Sequence, residues 1–280
     1  MEEAKKRAAF AAVDAQVEDG MVLGIGSGST VVYAVERLAQ RVAQGEIKVK
    51  ACIPSSWQAT QLIKQYSLPL QEEVVVPTAE LLAGSAASSE ETIEAFAIDL
   101  TIDGADEVDP EGNLIKGGGA CQTREKLVAA YSKRLVIVAD ARKDSEMLGR
   151  NFGFVPIEVL PSAWGAVARF LLSQAPDSPI GKVVSVKLRS GGASKAGPCV
   201  TDNGNLVLDV NFGEMSPQRA FIIDQLVSRW PGVITTGLFC RLPVRVFFCR
   251  TSTGEVVSRS NSLWDDNEAR CWNTFSSLPL

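Results

Sequence analysis

Apolar residues at Ala9, Phe10, Val13 and Val17 recur three and four apart and the pattern stops at Asp19-Gly20, which predicts a first helix over 2–17. An unbroken apolar run at 21–25 predicts a short buried strand, Gly26-Ser27-Gly28-Ser29 a tight loop, and Val31, Val35, Leu38 and Val42 the inner stripe of a second helix. The alternation repeats. Residues 47–53 read as a strand, Pro54-Ser55-Ser56 as its exit, and Trp57, Leu62 and Ile63 as marks of an amphipathic segment, so a parallel sheet built from βα units follows. After a serine- and alanine-rich stretch at 84–89, read as a surface loop, residues 97–102 form a strand that runs into Asp103-Gly104-Ala105-Asp106-Glu107. Leu114-Ile115 leads to Lys116-Gly117-Gly118-Gly119, then to a helix over 121–132 with Leu127, Val128 and Tyr131 expected inward, and a strand at 135–139 that ends on Asp140.

Beyond Phe152 the texture changes, with Pro156, Pro161, Pro176 and Pro179 interrupting it. Helices are expected over 163–173 and 217–230, strands at 183–188 and 206–210, an extended segment at 232–239, and closing strands at 244–248 and 255–257. This predicts an α/β protein: a Rossmann-like parallel-sheet domain over 1–152, completed by 233–259, and a second, smaller α+β domain over 153–232. The tail at 260–280 reads as an atypical appendage or a disordered end.

Composition narrows the chemistry. Of 280 residues 46% are hydrophobic and 22% charged, enough to bury a large core, and none is histidine, which removes histidine-based triads, imidazole metal ligands and imidazole bases. Acid–base work must fall to carboxylates, lysine or tyrosine. Lys and Arg number 28 against 33 Asp and Glu, a net charge of -5 that lacks the positive footprint of a nucleic-acid or anionic-membrane binder. Six scattered cysteines without a CxxC pair argue against a zinc ribbon or a redox dithiol and fit a reducing cytoplasm. The first residues do not resemble a signal peptide, and no apolar run approaches the roughly 20 residues of a membrane span.

Three constellations carry chemistry. GIGSGST at 24–30 offers free amides and the Ser27, Ser29 and Thr30 hydroxyls at a helix start, suited to a phosphate or, more plainly, to capping the helix. It lacks the Lys-Ser/Thr pair of a Walker A loop and the spacing of GxGxxG. TIDGADEVDP sets Asp103 and Asp106 about a Gly-Ala turn, where closely placed acids perturb one another; an Asx-type turn or Mg²⁺ binding are the alternatives. KGGGACQTREK places Lys116, three glycines and Glu125 in sequence, and three glycines in an ordered segment suggest backbone left bare against a ligand. Glu125 could instead be an exposed partner of Arg124 or Lys126, in which case changing either would have a mild effect. An anionic substrate, a carboxylate base and a cation beside developing oxyanion charge are what sugar-phosphate enolisation requires.

These motifs, with VIVADARK, GPCVTDNGNLVLDV and PGVITTGLF further on, resemble the type A ribose-5-phosphate isomerase family in order and spacing as far as about Phe239. The resemblance implies a Rossmann-like domain without nucleotide, a small ferredoxin-like domain, and a sugar phosphate held between them. It implies Glu125 as the base shuttling a proton between C1 and C2, Asp103 and Asp106 serving ring opening and hydroxyl proton transfer, and Lys116 stabilising the ene-diolate. Ser27, Gly28, Ser29, Thr30, Gly104, Ala105, Gly117, Gly118, Gly119 and Lys143 would contact substrate, with Lys5 or Lys6 helping at the phosphate. No metal or other cofactor is expected, and a homodimer or homotetramer is. Two rival readings are a non-catalytic sugar-phosphate sensor and a nicotinamide dehydrogenase; the second strand ends without the acid that would hold a ribose.

Overall fold

The computed structural model describes residues 2–74, 98–193, 195–250, 252–266 and 271. The loop expected at 84–89, and the tail at 267–270 and 272–280, lie outside the described residues. In chain order the first half consists of α1 (Glu2–Gln16), β1 (Val22–Ile25), α2 (Val31–Ala43), β2 (Ala51–Pro54), α3 (Trp57–Gln65), β3 (Ile98–Asp103), β4 (Glu107–Val108), β5 (Leu114–Ile115), α4 (Gln122–Ala130) and β6 (Ser132–Asp140). The second half contributes β7 (Val155–Val159), α5 (Trp164–Leu172), β8 (Ser185–Leu188), β9 (Leu206–Asn211), α6 (Pro217–Ser228), β10 (Val233–Thr236), β11 (Leu238–Phe239), β12 (Val244–Cys249) and β13 (Val256–Ser260).

The main sheet runs β13-β12-β6-β3-β1-β2, with every neighbouring pair parallel except β12 and β13. The chain steps from β1 outward to β2 and then back across to β3, so β1 and β3 flank a switch point, where open α/β sheets leave a crevice for ligand. One face of this sheet buries Val13, Leu23, Val35, Leu38 and Ile63. Leu135, Ile137, Val246 and Phe239 pack together in a second cluster. The second sheet, β10-β7-β9-β8, is antiparallel and packs against Val167 and Leu171 of α5 and Ile223 and Val227 of α6. A third small sheet, β11-β5-β4, pins the segment before Lys116 to the segment after β10. Among the described residues no helix is long and apolar enough to cross a membrane.

The structure departs from the sequence reading in four places. Of the strand expected over 47–53 only residues 51–53 join the ladder, which runs on to Pro54, because the preceding backbone bonds to the 19–21 turn: Lys48 N–H donates to Asp19, and Lys50 N–H to the Met21 carbonyl. Pro156, taken as an interruption, sits in the central strand β7, where its carbonyl accepts the Gly237 N–H at 2.6 Å. Helix α4 turns Gln122, Glu125, Val128 and Ala129 inward and leaves Leu127 and Tyr131 exposed, the reverse of the expected stripe for those two. Its inner face is partly polar because it serves a site. The segment after Ser260, where it is described, packs Trp264 into the main core with the guanidiniums of Arg134 and Arg245 at 5.3 and 4.7 Å from its ring.

Candidate active site

The exits of β1, β3 and β6 and the turn after β5 converge on one cleft of about 520 Å³. At the β1 exit the chain passes so close to β3 that a Cβ on Gly26 would lie 2.1 Å from Asp103 Oδ1 and 2.5 Å from its Cα, so this position has no room for a side chain. Gly28 follows in the left-handed region at φ +107. Thr30 stands at the start of α2 but makes no side-chain capping bond, so the helix's first amides are not closed off by its hydroxyl. Lys5 of α1 reaches the loop and donates to Ser29 Oγ at 3.0 Å; Lys6 turns instead to Glu36 at 3.0 Å. Lys5, Arg142 and Lys143 all line the cleft, with Arg142 forked on the Asp140 carboxylate at 2.7 Å. Uncapped helix amides facing several cations suit a phosphate dianion.

The other end of the cleft holds the acids. Asp103 is buried beneath the cleft wall, its Oδ1 accepting the Ser27 and Gly104 amides at 3.0 and 2.7 Å and its Oδ2 lying 2.8 Å from Lys116 Nζ. Lys116, also buried, donates to the Gly104 carbonyl and approaches Glu125 Oε2 at 3.4 Å. Burial pulls the Lys116 ammonium down, but Asp103 and Glu125 more than offset this and hold it well above the usual lysine range. Glu125 is pushed up to about 8, first by burial and then by the Asp103 charge, with Lys116 opposing. Its Oε2 has no hydrogen-bond partner among the described residues, although the side chain lines the cleft. Asp106 accepts the Gly118 N–H at 2.6 Å.

Every residue singled out from the sequence lies on or immediately behind this cleft except Lys6: Asp106, Lys116 and Glu125, the loop from Ser27 to Thr30, Gly104, Ala105, Gly117, Gly118, Gly119 and Lys143 line it, and Asp103 backs it. Ser56, Trp57, Gln58, Cys121, Asp140, Arg142 and Asp202 line it too and were not singled out. Asp140 was visible as an acid at a strand end. Asp202 was not, because it arrives from the loop before β9, accepting the Trp57 N–H at 2.9 Å. That loop is anchored by Glu158, a buried carboxylate that accepts from Thr123, Thr201, Asn203 and Asn205. Cys121 at the start of α4 is pushed up to about 12, mainly by burial and further by Glu125, so its thiol stays neutral.

A family model described as ribose 5-phosphate isomerase A (phosphoriboisomerase A) matches residues 51–253. The chain belongs to the ribose-5-phosphate isomerase A family. Its relatives in this family include the ribose-5-phosphate isomerase of Homo sapiens, 44% identical over 88% of this chain and 70% of that protein, and that of Candida albicans, 41% identical over 89% and 92%. Among solved ribose-5-phosphate isomerase structures, the one from Plasmodium falciparum superposes with a TM-score of 0.77 at 30% identity, covering 94% of this chain and 100% of that one. Another, a complex with phospho-erythronic acid, superposes at 0.76 and 33% identity over 93% and 99%.

Proposed function

We propose that this chain interconverts D-ribose 5-phosphate and D-ribulose 5-phosphate as an aldose–ketose isomerase, the reaction its family performs in the non-oxidative branch of the pentose phosphate pathway. The observation that carries the reading is the buried set of Lys116 between Asp103 and Glu125, at one end of a cleft whose other end presents uncapped helix amides and Lys5.

In this reading the phosphate rests on the loop from Ser27 to Thr30, with Lys5 and Lys143 neutralising it. Asp103 and Asp106 serve ring opening and move the hydroxyl proton. Glu125 takes the C2 proton of the open-chain aldose, negative charge grows on the C1 oxygen, and Lys116 stands where it can compensate that charge. Glu125 then returns the proton to C1, giving the ketose. The placement of Glu125 supports the assignment: its side chain lines the cleft beside Lys116, and burial holds it up to about 8, where it can both take and return a proton. The sensor alternative has no observation in its favour.

Residues 1–152 with 233–259 are taken as one domain and 153–232 as the other. A cytosolic setting agrees with six unpaired cysteines, and a homodimer or homotetramer is proposed, to be settled by light scattering. Incubated with ribose 5-phosphate, the purified protein should form ribulose 5-phosphate, and free ribose should react at least about 10³-fold less efficiently because remote phosphate binding aligns the reacting carbons. Equal efficiency on both sugars would remove the phosphate cradle from the mechanism, and no turnover would remove the reading.

A further inference from the structure

The glycine run at 117–119 is tied by one turn bond, the Ala120 N–H donating to the Gly117 carbonyl at 2.9 Å, which leaves the Gly118 peptide plane unfixed by the run itself. Gly117 has φ +96, a Cβ on Gly118 would lie 2.6 Å from Asp106 Oδ1, and no side chain in the run can lock it against the conformational freedom of three glycines. A further lock comes from the second sheet. Arg189, just past the end of β8, donates from Nη1 to the Gly117 carbonyl at 2.9 Å and the Gly118 carbonyl at 3.1 Å. Its Nε faces both oxygens of Asp209 on β9, at 3.1 and 3.0 Å, and the guanidinium lies 5.9 Å from the Phe154 ring.

A trans peptide is planar, so its N–H points away from its C=O. The group that draws the Gly117 carbonyl outward therefore turns the Gly118 N–H the other way, where it meets Asp106 Oδ2 at 2.6 Å. The Gly118 carbonyl is drawn to the same guanidinium, which turns the Gly119 N–H away from Arg189. Gly119 lines the cleft, its N–H has no partner among the described residues, and a Cβ there would meet nothing within 4 Å.

We propose that Arg189 is a positioning residue: held by Asp209, it fixes two successive peptide planes so that the Gly118 N–H orients Asp106 and the Gly119 N–H is presented to the oxyanion of the bound sugar. This rests on the isomerase reading above. Arginine is required because its planar fork holds the carboxylate and the carbonyls at once, whereas a lysine ammonium is a point charge on a flexible stem.

The test compares Arg189→Met, Arg189→Lys and Arg189→Met/Asp209→Asn with the wild type, measuring turnover of ribose 5-phosphate and inhibition by phospho-erythronic acid. In both methionine variants kcat should fall about 10- to 100-fold, the scale of a small misplacement at a reacting centre, while KM stays within about threefold. Inhibition should weaken in parallel, because on this proposal the acid's carboxylate takes the oxyanion's place at the Gly119 N–H, and Arg189→Lys should recover part of the loss. The double variant removes the carboxylate that Arg189→Met leaves unpaired. If it regained wild-type kcat, or if kcat of the single variant stayed within about threefold of wild type, Arg189 would be structural only. A wild-type protein without isomerase activity would overturn the underlying reading; variants that match an active wild type overturn only the role of Arg189.

Discussion

A carboxyl group enclosed with a second acid keeps its proton to higher pH than one in water, and Glu125, pushed up to about 8 against an ordinary 4.5, is in that position. As a base it must be ionised, so kcat/KM should climb with pH and level off above about 8, which a pH–rate profile reads directly. Glu125→Gln should lower kcat by about 10²- to 10⁴-fold with little change in KM, since the amide keeps the size but cannot take a proton from carbon. The same burial acts on stability. Between about 4.5 and about 8 the folded protein holds a proton that the unfolded chain has released, so the stability Glu125 contributes falls as pH rises through that window. Melting curves of Glu125→Gln should therefore gain on wild type at pH 8.5 and not at pH 4.5; an equal difference at both would contradict the enclosure.

The glycine loops differ in what their missing side chains make room for, and two alanine substitutions separate the cases. Gly26→Ala drives a methyl into Asp103 at 2.1 Å, so the β1 exit must shift away from β3, and both melting temperature and activity should fall. Gly119→Ala meets no protein atom within 4 Å and should melt like wild type, while KM for the sugar phosphate rises because the methyl occupies the cleft. These loops were legible in the sequence because glycine, acid and helix start lie within a few residues of one another. The helix after them was less so: in α4 a hydrophobic stripe through Leu127 and Tyr131 was the natural reading, yet the turn that seats Glu125 and Gln122 inward leaves those two outside. β7 escaped notice because Pro156 reads as a breaker.

At the scale of the whole molecule, the joints between α4 and the helix α6 that backs the second sheet were hidden from sequence reading because their partners lie far along the chain. Lys126 pairs with the buried Asp224 of α6 at 2.9 Å, shares it with the Thr236 hydroxyl, and lies 5.2 Å from the Phe239 ring, which Lys116 faces at 5.6 Å. The mild effect expected for changing Lys126 is therefore revised. Lys126→Met strands a buried carboxylate and should cost about 3–5 kcal/mol in denaturant unfolding, with Lys126→Met/Asp224→Asn recovering most of it. Arg124, at 4.0 Å from Asp202 with both side chains about a third exposed, should cost less than about 1 kcal/mol when replaced by alanine. A large loss there and none at Lys126 would reverse the account.

The order of strands in the main sheet also bears on how the protein is made. β6 lies between β3 and β12, and β12 comes from residues 244–249, beyond the whole of the small sheet. A nascent chain emerging from the ribosome thus presents the entire set from Lys5 to Lys143 while β6 is still an unpaired edge, the kind of surface that recruits other strands. Roughly a hundred further residues must be translated before the edge is covered, at about 5–20 residues per second. During those seconds the growing polypeptide carries its catalytic groups on a sheet that has not yet closed.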